Sequence, residues 1–291
     1  MRINHNVPAM ITQGSIFQNN RALTKDLEKL STGLRINRAN DDAAGLAISE
    51  GLRTQVRGAE QAKKNTLDAI SALNIAEGAA NEMHAILQRM RELSIQSSTA
   101  TYSSVERTYM NQEYSQLKDE IDRIVKATNF NNIRLLDSNI APTMGESIFV
   151  EKGTPPGFSG DQIWCDANGR KDVDSIAVKY NAVSIVSMSM SNSNIANATS
   201  AQHAITELDV AISRVSEMRA DIGAYVNRLE TTVNNLVVSA ANQQAAESQI
   251  RDTDFASQSS NFTKNQILVQ SATAMLSQAN GISQNVLTLL R

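Results

Sequence analysis

The side chains able to do chemistry are few, and their spacing does not suit it. The 291-residue chain has three histidines, His5, His84 and His203, and one cysteine, Cys165. No two histidines stand at a ligand spacing such as H-E-x-x-H, and no G-x-G-x-x-G, P-loop or G-x-S-x-G elbow occurs. Asp41 and Asp42 are adjacent carboxylates with no third carboxylate or histidine at ligand spacing. They are better placed to cap a following helix than to hold a metal. A single cysteine forms no internal disulfide and no cysteine-based metal site. Cys165, beside Trp164, reads as a small buried hydrophobe. His84 lies on the rim of an apolar helical stripe and reads as structural. The residues therefore exclude the common catalytic constellations, and function has to come from the elements themselves.

The dominant element lies between Leu52 and Ser98. Apolar or small residues recur at Leu52, Val56, Ala59, Ala62, Thr66, Ile70, Leu73, Ala76, Ala80, Met83, Leu87 and Met90. Every step is three or four residues, which places all of them on one stripe of an α-helix. A rod with one dry stripe requires other rods. Met110, Tyr114, Leu117, Ile121 and Ile124 predict a second helix over 105–127, antiparallel to the first because the turn between them is short. Ile205, Leu208, Ile212, Val215, Met218, Ile222, Tyr225, Leu229, Val233, Leu236 and Ala240 predict a third from about Ser200.

Both ends carry weaker stripes. Ile16, Asn20, Leu23, Leu27, Leu30 and Leu34 predict a helix from about Pro8 to a stop at Gly33. Asn20 on that stripe either fixes register or sits at a frayed edge. Phe262, Leu268, Val269, Ala272, Met275, Leu276 and Ala279 predict a last helix, followed by Val286, Leu287, Leu289 and Leu290. Residues 35–51 and 242–256 lose the stripe and read as connectors with short helical pieces. Residues 138–195 form a separate zone: three of the four prolines, the tryptophan and the cysteine fall between 142 and 169. Alternation at Ile176, Val178 and Tyr180, and again at Val186, Met188 and Met190, predicts one or two β-hairpins there.

Composition agrees with thin helical seams. Aromatic residues are only 4% of the chain against 41% hydrophobic. A net charge of −3 gives no reason to expect nucleic acid or an anionic membrane as partner. No apolar run approaches the ~20 residues that span a bilayer, and the N-terminus has no apolar core of a signal peptide. Composition alone would place the chain in the cytoplasm. The order of elements is palindromic, and the two terminal helices have only each other to pair with. A two-helix pair leaves much apolar surface wet, so the ends are expected to be marginal in a monomer and ordered in an assembly of copies.

The residues also carry a resemblance. Leu30-Ser31-Thr32-Gly33-Leu34-Arg35-Ile36-Asn37 with Asp41-Asp42-Ala43-Ala44-Gly45-Leu46-Ala47-Ile48-Ser49 resembles the N-terminal signature of bacterial flagellin. Leu87 to Leu93, Arg219 to Glu230, Gln266 to Gln270 and Ala274 to Asn280 resemble further motifs of that family, over roughly 1–140 and 198–291. The resemblance implies a mainly α fold: an elongated antiparallel bundle or coiled coil built by the N- and C-terminal segments, with a small β-rich insert. It divides the chain into a terminal polymerisation coiled coil (1–40 and 255–291), a helical bundle with connectors (41–137 and 198–254) and a variable insert (138–197). Leu23, Leu27, Leu30, Leu34, Leu268, Met275, Leu276 and Leu287 are then expected to carry polymerisation. The implied function is the structural subunit of the flagellar filament, with no enzymatic activity, cofactor or metal; a hook–filament junction protein is the alternative. The implied partners are further copies of the chain, the flagellar export apparatus, a secretion chaperone, and filament cap and junction proteins. The implied location is an extracellular flagellum or, as in spirochaetes, a periplasmic one. A flagellin-sensing Toll-like receptor is a further implied partner, at Gln88, Arg89, Leu93 and Glu113. Asn197-Ala198-Thr199 and Asn261-Phe262-Thr263 fit the N-glycan pattern, which in a bacterial protein is best ascribed to chance.

Overall fold

The computed structural model describes residues 6–136, 162–164, 175–177, 188, 190 and 193–289. Five helices account for most of them: α1 (Val7–Thr32), α2 (Ala43–Ser98), α3 (Ser104–Ala127), α4 (Ala198–Arg251) and α5 (Phe255–Leu289). Two short hairpins complete the described elements. β1 (Asn129–Phe130) pairs antiparallel with β2 (Ile133–Arg134), and β3 (Gln162–Trp164) with β4 (Ser175–Ala177). The chain divides into two compact units, 57–240 and the pair of ends 1–56 with 241–291.

In the 57–240 unit the predicted stripes become the core. From Val56 to Met90 the α2 stripe is buried except at half-buried Ile70. On α4, Leu208, Val215, Met218, Ile222 and Leu229 are fully buried or nearly so. Met110, Tyr114, Ile121 and Val125 of α3 join the same cluster. Ion pairs link Glu77 to Arg219 and Arg91 to Asp209, so numbering that rises along α2 falls along α4, and the two run antiparallel. Alanines widen the seam's sequence range beyond the predicted stripes: Ala69, Ala72, Ala201, Ala204 and Ala211 are also buried. Small side chains there let helices approach closely without leaving gaps. The buried hydroxyls of Thr66 and Ser94 donate to carbonyls one turn back, Ala62 O and Met90 O, each at 2.8 Å, so neither is left unpaired.

The turn from α2 into α3 is fixed by a capping box. The Ser103 hydroxyl accepts from the Glu106 amide, and the Glu106 carboxylate accepts from the Ser103 amide at 2.7 Å. Those hydrogen bonds lower the Glu106 carboxyl below its ordinary range. Arg107 reaches back to Ser97 O and Thr99 O. Segment 193–195 is tied to the same end: Ile195 N donates to Asn111 Oδ1, Ser97 Oγ donates to Ile195 O, and the Tyr114 hydroxyl pairs with Ser193. Burial pushes the Tyr114 hydroxyl up to about 12, against the opposing hydrogen bond from Ser193 and with help from the Glu207 carboxylate. The β1–β2 turn holds Asn131 at φ 50° and Asn132 at φ 65°. Both are left-handed conformations, which asparagine tolerates better than most residues.

Three predicted details differ. The connector expected at 35–51 is helical from Ala43 onward, because the Asp42 carboxylate caps α2 through the Gly45 amide at 2.9 Å. The lapse expected from Asn242 is helical up to Arg251. Ala240-Ala241-Asn242-Gln243-Gln244-Ala245-Ala246-Glu247 is rich in strong helix formers, and propagation needs no apolar stripe once a helix is under way. Met188 and Met190 are both buried, but Met188 lies in a turn and neither belongs to a described strand. Only the Ile176 part of the first predicted alternation is found as strand; Val178, Tyr180, Val186 and Cys165 lie outside the described residues.

Leu229, with no exposed surface, tests the seam. Leu229→Asp places a carboxylate there without a partner and is expected to destabilise the 57–240 unit by several kcal/mol. Thermal melting followed by circular dichroism should show the loss, and an unchanged midpoint would contradict the assignment of this seam as the core.

Candidate assembly interface

The unit formed by both chain ends is built differently. α1 begins at Asn6, whose side chain accepts from the Ala9 amide, has Pro8 in its first turn, and stops at Gly33 with φ 71°. Asn6 Nδ2 donates to Ala279 O, while Asp26 faces Gln258 and Asn265, so α1 and α5 are antiparallel partners. Their facing stripes are Ile16, Asn19, Leu23, Asp26 and Leu30 on one helix and Phe262, Asn265, Val269, Ala272, Leu276 and Ala279 on the other, at three- and four-residue steps. Apart from Ala279, at 6% exposure, these are only half-buried, and α1 has no fully buried residue.

The predicted polymerisation residues separate by position. Leu23, Leu30, Leu34 and Leu276 are half-buried, whereas Leu27, Leu268 and Met275 are exposed. Leu287 lies within α5, and its side chain is outside the described set. Asn20, on the predicted stripe, is exposed. The polar register contact is instead Asp26, whose two carboxylate oxygens accept from Gln258 Nε2 and Asn265 Nδ2 at 2.6 Å each.

Val7, Met10, Ile11 and Phe17 of α1 and Phe255 and Ile267 of α5, outside the predicted stripes or unremarked within them, are also large, apolar and more than half exposed. Charge is scarce on the same helices. α1 has no ionisable side chain from Val7 to Asn20, and Lys264 is the one charged residue in the whole of α5. By contrast α3 carries charge at nearly every exposed turn. Neutral amides and hydroxyls are far cheaper to desolvate than ions, and charge depletion marks the centres of protein interfaces. That depletion is visible in the sequence as an α5 of 35 residues almost without Asp, Glu, Lys or Arg.

Where the two ends meet beyond α1 and α5, backbone and charge both contribute. Leu34 and Asp252 form a β-bridge, with Arg35 N donating to Arg251 O at 2.7 Å and Thr253 N to Gly33 O at 3.0 Å. The Arg35 guanidinium donates to Ile250 O, and Arg251 pairs with Glu50 at 2.8 Å. Lys25 pairs with Asp41 and Arg38 with Glu28. A Cβ at Gly45 would lie 2.9 Å from Ile36 Cδ1 and against the capping carboxylate of Asp42, so a side chain there requires both to shift.

The second predicted site lies on α2 and α3 in the 57–240 unit. Arg89 donates through Nε and Nη2 to Glu113 Oε1 at 3.0 and 2.9 Å, and through Nη1 to Glu92 Oε2 at 3.2 Å. Hydrogen bonding from Glu113, then Glu92, raises the guanidinium's hold on its proton. Gln88, Arg89 and Glu113 are exposed, whereas Leu93 belongs to the core at 2% exposure. Among the described residues no grouping of histidine, cysteine, aspartate and glutamate could hold a metal ion, and no helix is long and apolar enough to cross a membrane.

Paired helical ends that leave charge-poor apolar faces uncovered have the character of a surface for association with other chains. Residues 3–141 match the family described as the bacterial flagellin N-terminal helical region, and residues 205–290 the bacterial flagellin C-terminal helical region. The chain is 45% identical over 293 residues to the flagellar filament 33 kDa core protein of Treponema phagedenis. It is 42% identical over 297 residues to Flagellin FlaB2 of Treponema pallidum, and 44% identical over 304 residues to the flagellin of Bacillus subtilis. Each alignment covers 100% of both chains. The chain belongs to the bacterial flagellins. It is a structural subunit of the flagellar filament, and the flagellum is where it is found.

The Asp26 clamp makes a measurable claim. Asp26→Ala removes the acceptor shared by two amide donors, which is expected to weaken the α1–α5 pairing by about 1–3 kcal/mol. Amide hydrogen exchange in α1 of the monomer should accelerate about tenfold or more, while the 57–240 unit keeps its melting midpoint. Unchanged exchange in α1 would refute the clamp.

Proposed function

We propose that the two units divide the labour of a filament subunit. The ends, 1–40 and 255–291, carry polymerisation through α1 and α5; the helical bundle of 41–137 and 198–254 is the body of the monomer; 138–197 is a variable insert. The observation that carries this reading is the contrast in burial: a continuous dry core within 57–240, against an α1 with no buried residue. Leu23, Leu30 and Leu276 hold α1 to α5, Leu34 bridges to Asp252 just before α5, and Leu27, Leu268 and Met275 face neighbouring copies; Leu287, on α5, is assigned to the same polymerising end. The work is mechanical: a tube of such subunits, turned at its base, converts torque into thrust, and no substrate is transformed. An exported filament subunit also requires the flagellar export apparatus, a secretion chaperone that covers the apolar ends beforehand, and cap and junction proteins at the two ends of the tube.

Deleting 1–40 and 255–291 together is expected to leave a soluble helical monomer with a cooperative melt that no longer elongates seeds of the full-length protein. Sedimentation reads the result, and a truncated protein that still grows filaments would overturn the division.

A second reading concerns Arg89. Its fork and Glu113 form an exposed ion pair, with exposed Gln88 next to Arg89 in sequence and Leu93 buried one turn further along α2. A vertebrate flagellin-sensing Toll-like receptor is the proposed partner, with Arg89 the anchor. Glu113 and Glu92 already engage the guanidinium in the free monomer, so a receptor carboxylate has to compete with them, and the same contacts hold the fork in one orientation. Arg89→Ala is expected to weaken binding of monomer to receptor ectodomain at least tenfold, about 1.4 kcal/mol. Wild-type monomer without binding at micromolar concentration would sink the proposal.

A further inference from the structure

The methionines sort by unit. Of the eight described, Met83, Met90, Met110, Met188, Met190 and Met218 are at most 9% exposed, and all belong to the 57–240 unit. The other two, Met10 at 66% and Met275 at 59%, both belong to the unit of the chain ends. Met10 shares the outer face of α1 with Val7, Gly14 and Phe17 at three- and four-residue steps, and Met275 stands two turns from Leu268 on α5. These are the faces that carry almost no charge. A thioether is a good choice for such a surface, because it is flexible, polarisable and apolar enough to be buried against another chain. It is also the one side chain there that a mild oxidant converts from apolar to polar.

We propose that Met10 and Met275 are oxidation sites through which peroxide stops subunit assembly. The proposal rests on the reading of the α1 and α5 faces as the contact between copies. In the reaction the sulfur lone pair of the thioether attacks one peroxide oxygen and the O–O bond breaks. The sulfur gains that oxygen as a sulfoxide, losing two electrons, and hydrogen peroxide is reduced to water. The product is polar, with a strong acceptor oxygen and no donor of its own. On the monomer that oxygen points into solvent and costs nothing. Within a closed contact between copies the added oxygen needs room and a donor, and the apolar side chains that share these faces, Val7, Phe17 and Leu268, offer neither. The six core methionines are protected by packing, so the body of the monomer survives an exposure that disables its ends. Once copies have closed over α1 and α5, the same burial protects Met10 and Met275, so the sensitive species is the free subunit.

The test uses full-length monomer treated with hydrogen peroxide, with oxidation followed at each methionine by peptide mass spectrometry. Met10 and Met275 are expected to oxidise at least tenfold faster than the six core methionines. Oxidised monomer should keep its melting midpoint and lose at least tenfold in the rate of seed elongation. M10L/M275L monomer, which keeps every other methionine, should elongate seeds equally well before and after peroxide. Core methionines that react as fast as Met10 and Met275 would overturn the proposal, and so would oxidised wild-type monomer that elongates normally or a double variant that peroxide still disables. Assembled filaments separate the two layers. If Met10 and Met275 are tenfold slower to react in filaments yet oxidised monomer still assembles, the oxidation proposal fails and the contact reading stands. If they react equally fast in filament and monomer, the contact reading itself is wrong at these residues.

Discussion

A helix packed against one neighbour can hide only one stripe of its surface. That constraint governs the difference between the two units. Inside 57–240, α2, α3 and α4 give each other several faces, and Leu73, Met83, Leu87, Ile121, Leu208 and Ile222 lose all exposure. At the chain ends α1 and α5 have each other, and the best-covered positions on α1 reach only half-burial. Fully burying a leucine or methionine side chain is worth roughly 1.5–3 kcal/mol, so the half-buried stripes of α1 and α5 leave much of that unused in a lone subunit. A filament subunit has to be stable enough to exist alone and unsatisfied enough to join others. On the proposed division of labour, the two requirements fall on different stretches of one chain.

Polar contacts supply at the ends what apolar burial does not. Asp26 with Gln258 and Asn265 fixes the register of α1 on α5, which a seam of similar small and branched residues would specify weakly. The Leu34–Asp252 bridge and the Arg35, Arg251 and Glu50 contacts join the segment after α1 to the junction between α4 and α5. Many of these groups are partly exposed, and each exposed ion pair contributes little by itself. Their value is geometric: they set where the apolar faces of α1 and α5 point. Gly45 belongs to the same economy of space, because any side chain there would push on Ile36 and on the Asp42 cap.

What the sequence revealed follows from which interactions are periodic. The α2 and α4 stripes could be read residue by residue because core burial repeats every three or four positions, and Leu73, Leu87, Leu208 and Leu229 are where periodicity puts them. The family motifs at both ends led to the flagellins on their own. The true extent of α2 and α4 was less legible, since propagation through Ala43–Gly51 and Ala241–Arg251 depends on propensity and a single cap, and neither leaves a stripe. Met188 and Met190 alternate like a strand, and both are buried, but neither belongs to a described strand, so the period-two signal there is matched by burial alone. Asp26 could not be found at all from the sequence, because its partners lie more than 230 positions away and depend on the register of the pair.

The charge pattern completes the account of the candidate interface. Exposed leucines and methionines alone do not define a contact surface, since single apolar residues are common on any protein exterior. What sets the first half of α1, Val7–Asn20, and nearly all of α5 apart is that their exposed polar positions are serine, threonine, asparagine and glutamine, while α3 mixes such residues with glutamate, aspartate, lysine and arginine. A helix meant to stay in water gains from charge at such positions, because charge preserves solubility and discourages association. A helix meant to leave water loses by it, because each ion would have to be desolvated and paired across the contact. Neutral amides and hydroxyls suit both conditions, being hydrated in the free subunit and satisfied by hydrogen bonds once buried. The 35 residues of α5 with one lysine are thus what the proposed burial between copies requires.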